Sequence, residues 1–444
     1  MKKKLPVITL AEREEAARLE GLPGEVTLAL ADIAATMRDG LMALSCSAGL
    51  LVVAEIMQAE IASMAGQKGR HDPERTVTRN GTAPGSLALG GRTVAVRRPR
   101  AVHTDGSGEV VLDSYTLLSS QDLLSQLVVE RMLAGVATRR HVLVAEPVGE
   151  VLESGAKATS KSAVSRRFVK ATEVKLAELL SRDLSEIDVA VVMIDGVIFC
   201  GRCCVVALVI TTDGTKIPVG LYEGDTENTV VVTGLLADLV ERGLRFEHGI
   251  LCVIDGSKAL AAGVRKVFGD RALVQRCVLH KRRNVVGHLD DELGAVIDRK
   301  LAAAFGDRDP TRGLRVCKGL AHQLEGDHPS AAASILEGLD DMFTVRRLGV
   351  SDSLVRSLSC TNSIESMISV IRGLTGRVTK WKDASMVNRW VATGMLEAER
   401  SFRRIKGYRD MTTLVTKVRA EVVRRVDKKE GGTVTPTNYD QALA

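Results

Sequence analysis

Three carboxylates in this chain stand where a carboxylate needs a compensating partner. Asp195 interrupts Val189 to Phe199 (VAVVMIDGVIF), an otherwise β-branched and apolar run that reads as a buried strand. Burying a carboxylate there is costly unless something offsets it. Sixty residues on, Gly249 to Asp255 (GILCVID) repeats the pattern and ends in Asp255-Gly256. Glu365 lies in Thr361 to Ser366 (TNSIES), at the start of a helical pattern. Two strand-borne aspartates and a helix-borne glutamate are the set that a two-metal phosphodiester site needs. Mg2+ (or Mn2+) takes oxygen ligands and keeps several waters. Two such ions, about 4 Å apart, activate the attacking oxygen and stabilise the leaving one. Each Asp precedes a Gly, which lets the backbone turn and substrate approach closely. Taken singly, each Asp-Gly is also an ordinary turn. Asn362 as helix cap with Glu365 reaching back fits a capping box as well.

A fourth feature is Cys277-x-x-His280, followed by Lys281, Arg282, Arg283 and Asn284. It is half of a zinc site, and no second pair follows at suitable spacing. Cys277 reads as a buried small hydrophobe with a structural role. His280 is expected to face the scissile phosphate, and the basic run to grip nucleic-acid backbone.

The elements that must position these groups follow from pattern. Asp188–Phe199, Cys203–Thr211, Lys216–Glu223, Gly249–Ile254 and Ala272–Val278 read as five strands, with helices at Thr226 to Arg242 and Ser257 to Phe268. Tight turns make the first three antiparallel, and helical connections make the later ones parallel. This is an α/β, mixed five-stranded sheet with the element order of the ribonuclease-H-like fold. Residues 183–283 and 356–410 form that core. Residues 284–355 form an all-helical insertion, and 411–444 a final helix and a disordered tail.

Upstream, residues 1–66 read as helices, Glu25 to Arg38 and Met42 to Met64, for core or dimer contacts. Residues 67–118 are a basic β-containing segment. Its strand Arg92 to Arg100 presents Arg97, Arg98 and Arg100 to phosphates, or is an edge kept unsticky by charge. Residues 119–182 resemble a helix-turn-helix DNA-binding domain: Gln121 to Leu133, a break at Gly135, Thr138 to Leu152, and a third helix from Thr159-Ser160 or Ser162 to Leu180. The third helix presents Lys161, Arg166, Arg167, Lys170 and Lys175, with Val164, Phe168 and Val174 behind them. Further basic residues, Arg372 and Arg377, and Trp381 between two lysines, follow Glu365 and suit DNA contact.

The chain has 444 residues, 45% hydrophobic, with net charge +6, so any nucleic-acid surface is local rather than a field of the whole protein. Aromatics at 3% argue against a stacking platform for single strands. No uninterrupted run of 18 apolar residues occurs, and no signal peptide is read, so no membrane partner is expected. Eight cysteines in mostly apolar contexts suggest free thiols in a reducing cytoplasm.

The motifs IDG (194–196), IDGSKAL (254–260), QRCVLHKRRNV (275–285) and TNSIESMISVIR (361–372), with RNG (79–81), RTVAVRRPR (92–100) and LSRDLS (180–185), resemble Mutator-type bacterial insertion-sequence transposases. The resemblance spans roughly residues 60–410. It implies a DDE triad on a ribonuclease-H-like fold, here Asp195, Asp255 and Glu365, and places the family's C-x-x-H on Cys277 and His280. It also implies double-stranded DNA (terminal inverted repeats and target) as partner and a homodimer or higher oligomer. Trp381 and Trp390 lie near where the family carries aromatics, Trp390 reading as core and Trp381 as a base-stacking group. Ile194 and Ile254 depart from the residues common before each Asp-Gly. The expected activity is metal-dependent strand cleavage and strand transfer. The rivals are a nuclease of the same core without strand transfer, and a non-catalytic DNA-binding regulator.

Overall fold

The computed structural model describes residues 24–70, 72–89, 92–119, 121–141, 144, 160–224 and 226–429. The chain divides after Ala171 into two compact units. In the first, α1 (Gly24–Ala65) is one continuous helix, not two. Asp39-Gly40 does not break it, since an isolated Gly costs a helix only about 1 kcal/mol. Its C-terminal part buries Met57, Ile61 and Ala65 against Val77, Ala101, Val110 and Leu112. Its Leu44–Ala65 portion is long and apolar enough to cross a membrane by length and composition, with mean hydropathy 1.5. Counting uninterrupted apolar runs misses this, because Glu55 and Glu60 interrupt the stretch. The Glu60 carboxylate accepts the amides of Asp113 (2.7 Å) and Ser114 (3.2 Å), and so fixes the start of α2 (Asp113–Ser119).

The turn-rich, basic stretch before Arg92 proves to be a strand. β1 (Val77–Leu89) pairs antiparallel with β2 (Arg92–His103), with an irregularity between Arg79 and Thr82. Pro84 and two glycines hide it, yet a two-stranded sheet has only edges, where a missing N–H is tolerated. Gly85 leaves room for Tyr115, whose Oη accepts the Ser86 amide at 3.2 Å. α3 (Gln121–Leu133) ends at Gly135, in the left-handed region at φ 91°. Residues 138–141 are turns, so the expected second helix does not begin at Thr138, and most of its remainder lies outside the described residues. α4 (Lys161–Leu180) begins as expected, Ser160 Oγ accepting the Ala163 amide. Val164 and Phe168 are buried, but Val174 is exposed, against expectation.

The second unit holds the five-stranded mixed sheet, in the order β5 (Lys216–Gly224), β4 (Arg202–Thr211), β3 (Val189–Phe199), β6 (Ile250–Ile254), β7 (Ala272–Arg276). β3 pairs antiparallel with β4 and parallel with β6. Residues 200–201 join β3 to β4 with both φ positive (50° and 77°), the twist a two-residue hairpin needs.

Apolar layers cover both faces, which is why these strands read as near-continuous hydrophobic runs. On one face, Val192, Ile194, Cys252 and Ile254 pack beneath α5 (Thr229–Glu241) and α6 (Lys258–Phe268). On the other, Val191, Met193, Val197 and Val253 join residues of later helices.

β7 leads into α7 (Val278–Val286), α8 (Asp291–Gly306), α9 (Pro310–Leu324) and α10 (Pro329–Leu336), which share a separate core around Leu301, Cys317, Ile335 and Phe343. Fully buried Gln275 on β7 ties this layer to the sheet. Its amide donates to Met342 O (2.9 Å) and its carbonyl accepts the Val345 amide (2.9 Å). Short helices α11 (Thr344–Arg347) and α12 (Asp352–Leu358) follow, then α13 (Asn362–Thr375), α14 (Ala384–Glu399) and α15 (Met411–Lys429). Residues 430–444, read as a disordered tail, lie outside the described residues, as do residues 1–23.

Gly263 lets α6 cross α5 closely: a Cβ there would overlap the Val232 side chain. Gly263→Ala is therefore expected to destabilise the chain by about 1–3 kcal/mol through overpacking, read as a lowered midpoint in thermal or urea unfolding.

Candidate functional site

Parity along the strands brings the two aspartates together. Ile194 and Ile254 are register partners in the parallel β3–β6 pair. Each is followed by an aspartate, so Asp195 and Asp255 emerge side by side. Successive side chains alternate faces; Ile194 and Ile254 point toward α5 and α6, so both aspartates point to the opposite face. That face is covered by α13, through Ile364, Met367, Ile368 and Ile371 at helical spacing. Glu365 belongs to the first turn of that helix.

Asp255 is fixed by its own turn. Its Oδ1 accepts the Ser257 amide at 2.7 Å, and Ser257 Oγ accepts the Leu260 amide at 3.3 Å as the cap of α6. The Arg276 guanidinium donates to the Gly256 carbonyl and to Glu337 at 3.1 Å.

Glu365 is held differently from the capping box read in the sequence. Thr361, not Asn362, occupies the cap position, with no side-chain bond to the backbone. Its hydroxyl donates instead to Glu365 Oε1 at 2.7 Å. A hydroxyl has one proton, so the 3.3 Å contact to His280 Nδ1 places the imidazole N–H against the Thr361 oxygen. His280 Nδ1 lies 3.7 Å from Glu365 Oε1.

Cys277 closes the group. It begins α7 rather than ending a strand, and its amide donates to Ile254 O at 2.8 Å, beside Asp255. Its buried Sγ accepts the Thr361 amide at 3.4 Å and lies 3.3 Å from Thr361 Oγ1. Cys277 is thus a hydrogen-bonding hub, more than the small hydrophobe expected from the sequence. Among the described residues, one group of three side chains brings potential ligand atoms within 4.8 Å of one another: Cys277, His280 and Glu365.

The electrostatics match a crowd of carboxylates. Burial, then the charge of Asp255, pushes the Asp195 carboxyl up to about 7, with Glu365 and Glu227 adding to the effect and His280 opposing it. His280 is pushed up to about 9, first by its hydrogen bond to Cys277 and then, against burial, by the charges of Cys277, Glu365 and Asp195. The Cys277 thiol is lowered: burial opposes this, but bonds from His280 and Thr361 prevail. These surroundings favour the protonated, positively charged form of His280.

A fourth carboxylate was not singled out from the sequence. Glu227 precedes α5 and its Oε2 rests against Gly196, where a Cβ would overlap it. Gly196 and Gly256 both have φ outside the positive region. At Gly196 the glycine is thus required by space, not by a backbone turn. The clue available in the sequence was the pair Glu227-Asn228, one residue more than a cap needs.

The basic residues divide. Lys281 is buried, its ammonium 2.6 Å from Ser334 O and 3.0 Å from Glu337 Oε2, so it is turned inward and is no phosphate contact. Its neighbour Arg282 pairs with Asp298, and Arg283 is exposed. In the first unit Arg98 and Arg100 both pair with Glu109 (2.8 and 2.9 Å), which leaves them one net positive charge, and Arg97 bonds Thr82 Oγ1. Lys161, Arg166 and Lys170 are exposed and Arg167 is half-buried. Arg372 and Arg377 are exposed, Trp390 is buried as expected, and half-buried Trp381 stands edge-on to it with ring centroids 6.5 Å apart.

A group whose folded pKa is raised stabilises the fold below its unfolded pKa and loses that contribution as pH rises through the folded value. Asp195 and His280 are both raised, so the metal-free chain is expected to lose stability from about pH 4 to 9 at these two positions. Asp195→Asn should flatten the part of the melting-temperature profile below about pH 7 and raise the melting temperature at neutral pH, as calorimetry across pH would show.

Comparison with known proteins agrees with this arrangement of motifs. Residues 25–404 match the family model described as Transposase, Mutator family. The chain is 24% identical over 334 residues to the transposase for insertion sequence element IS256 in transposon Tn4001 of Staphylococcus aureus, covering 73% of this chain and 81% of that protein. It is 23% identical over 352 residues to the IS905 transposase of Lactococcus lactis subsp. lactis, covering 76% and 85%. Its match to the IS6120 transposase of Mycolicibacterium smegmatis, 27% over 206 residues, covers 45% of this chain and 62% of that protein. With a family match over most of its length, the chain belongs to the Mutator family of transposases.

Proposed function

We propose that this chain is a DDE transposase with a ribonuclease-H-like core, which binds the terminal inverted repeats of its element and carries out strand cleavage and strand transfer. The observation that carries this reading is the register of β3 on β6, with Asp195 and Asp255 emerging together on the face that α13 covers. Asp195, Asp255 and Glu365 would hold two Mg2+ or Mn2+ ions. Their hard oxygen donors suit those ions. The raised proton affinity of Asp195 fits a site that needs added positive charge. When bound, such ions activate the attacking oxygen and stabilise the leaving oxygen at phosphorus.

The chain's own residues supply orientation and charge. Thr361 and His280 fix the Glu365 carboxylate, and the His280 imidazolium adds positive charge beside the position a phosphate would take. The Asp255 turn and the Arg276 contact to Gly256 hold the second aspartate at the mouth of α6. Residues 67–118 and 119–182, with Arg97, Arg98, Arg100, Lys161, Arg166, Arg167 and Lys170, would grip the element ends. Arg282, Arg283, Arg372, Arg377 and Trp381 would contact DNA nearer the cut, with residues 284–355 as a helical insertion and a dimer or higher oligomer pairing the ends.

Purified protein with labelled end DNA and Mg2+ tests this. Wild type should yield cleaved and joined products, and chelation should abolish both. Asp195→Asn, Asp255→Asn and Glu365→Ala should each lower product by several orders of magnitude while end-DNA binding persists. Nicked products alone would turn the reading to a nuclease. Binding without cleavage by the wild type would turn it to a regulator.

A further inference from the structure

We propose that the loop joining α14 to α15, residues 400–410, is a second docking surface for duplex DNA, holding the backbone of the target through Arg403, Lys406 and Arg409. The target role deepens the transposase reading above and rests on it. The loop carries Arg400, Arg403, Arg404, Lys406 and Arg409 against the single carboxylate of Asp410. Two of these charges are offset. Arg400 pairs with Glu397 at 3.2 Å, and Arg404 with Asp213 at 3.0 Å. Asp410 is engaged with the backbone, its Oδ2 accepting the Ser351 amide at 2.5 Å. Arg403, Lys406 and Arg409 are exposed, and among the described residues no carboxylate lies within ion-pair distance of any of them. On flanking elements comparable arginines are neutralised, Arg308 and Arg346 by Asp352, and Arg424 and Arg425 by Glu421.

The loop is fastened to the second unit. The Ile405 amide donates to Gly214 O, in the turn between β4 and β5, at 2.9 Å, and the Ile405 side chain joins the core. Ser357 Oγ donates to Lys406 O at 3.0 Å. Gly407, with φ 85°, passes so close to Leu354 that a Cβ would overlap its backbone. Two rings stand among the cations. Lys216 Nζ lies 4.9 Å from the Phe402 ring centre, and the Arg404 guanidinium 5.3 Å from that of Tyr408. A backbone already ordered loses less freedom when its side chains meet a partner. Arg and Lys contacts to phosphates fix a duplex in place and carry no sequence information. That suits a target, met as many different sequences, more than a terminal repeat of one sequence. Position also separates the loop's anchor from the carboxylates. The anchoring turn follows Thr211, which pairs with Val189 at the start of β3. Asp195 lies further along that strand by roughly 20 Å, at about 3.3 Å per residue.

The test uses the full chain and a labelled duplex that lacks the element ends, with binding followed by fluorescence anisotropy across a salt series without divalent metal. The combined variant Arg403→Gln, Lys406→Gln, Arg409→Gln should weaken binding at least about tenfold and make the slope of log affinity against log salt shallower by about 2 to 3. Arg403→Gln alone should change the slope by about 1. The melting temperature should stay within about 2 °C of wild type, since the three side chains are exposed and unpaired. A control, Arg299→Gln, Lys300→Gln, Lys318→Gln, removes the same charge from exposed positions on α8 and α9 and should leave the slope unchanged. An equal change in the control would overturn the proposal in favour of a general field, and so would an unchanged slope in the loop variant. A melting temperature lowered well beyond 2 °C would mark the three as fold contacts and overturn it too. With Mg2+, labelled ends and a separate target duplex, the ratio of joined to cleaved product should fall at least about tenfold in the loop variant. Cleavage and joining lost in step would assign the loop to the element ends and overturn the target role. A wild type that cleaves nothing would overturn the underlying transposase reading, with the salt series still deciding whether the loop holds DNA.

Discussion

Carboxylates gathered where the parallel pairing of β3 with β6 ends are what the second unit has to accommodate. A sheet covered on both faces offers a carboxylate little solvation, and Asp195 responds by binding its proton far more tightly than a free side chain does. The surroundings are arranged around that cost. His280 supplies the nearby positive charge, Thr361 locks Glu365, and Cys277 joins the start of α7 to the start of α13. Remove the carboxylates and this chain of contacts has no evident purpose in packing. It uses polar atoms where the rest of both faces uses valine, leucine and isoleucine.

The helical layer after β7 bears on the same place through buried polar groups. Gln275 bonds two backbone groups of the Met342–Val345 segment. Arg276 and Lys281 meet at Glu337, and Arg276 also reaches the carbonyl of Gly256. The Asp255 turn is thus braced by a helix far along the chain. Both cations are buried while Glu337 is exposed, and such pairs fix one arrangement of their partners more than they add stability. Here the partner held in place is the Gly256 carbonyl, in the turn between β6 and α6.

Much of this was legible in the sequence where a single rule governed the outcome. The strands of the second unit are two-sided and apolar, so Val189–Phe199 and Ile250–Ile254 stood out to within a residue or two of their ends. Asp195 and Asp255 were conspicuous because they violated that rule. What stayed hidden depended on partners distant in the chain. Lys281 looks like a DNA contact until Glu337 folds onto it. Glu365 looks like half of a capping box until Cys277 and His280 draw Thr361 into the cap position. β1 hid behind Pro84 and its glycines because the edges of a two-stranded sheet relax the usual penalties. Glu227 was passed over because a charged residue before a helix is unremarkable until the space above Gly196 is known.

The fit between Gly196 and Glu227 also ties together two positions that lie in separate elements. Neither can drift alone without consequence. A larger residue at 196 is compatible with the fold only if position 227 first gives up its long side chain, whereas a shortened 227 leaves the glycine without a steric reason to persist. The order of substitution then matters in the history of such a chain. A path through 227 passes by way of intermediates that fold, and a path through 196 begins with a collision. Among descendants of a common ancestor, the two positions should therefore vary jointly.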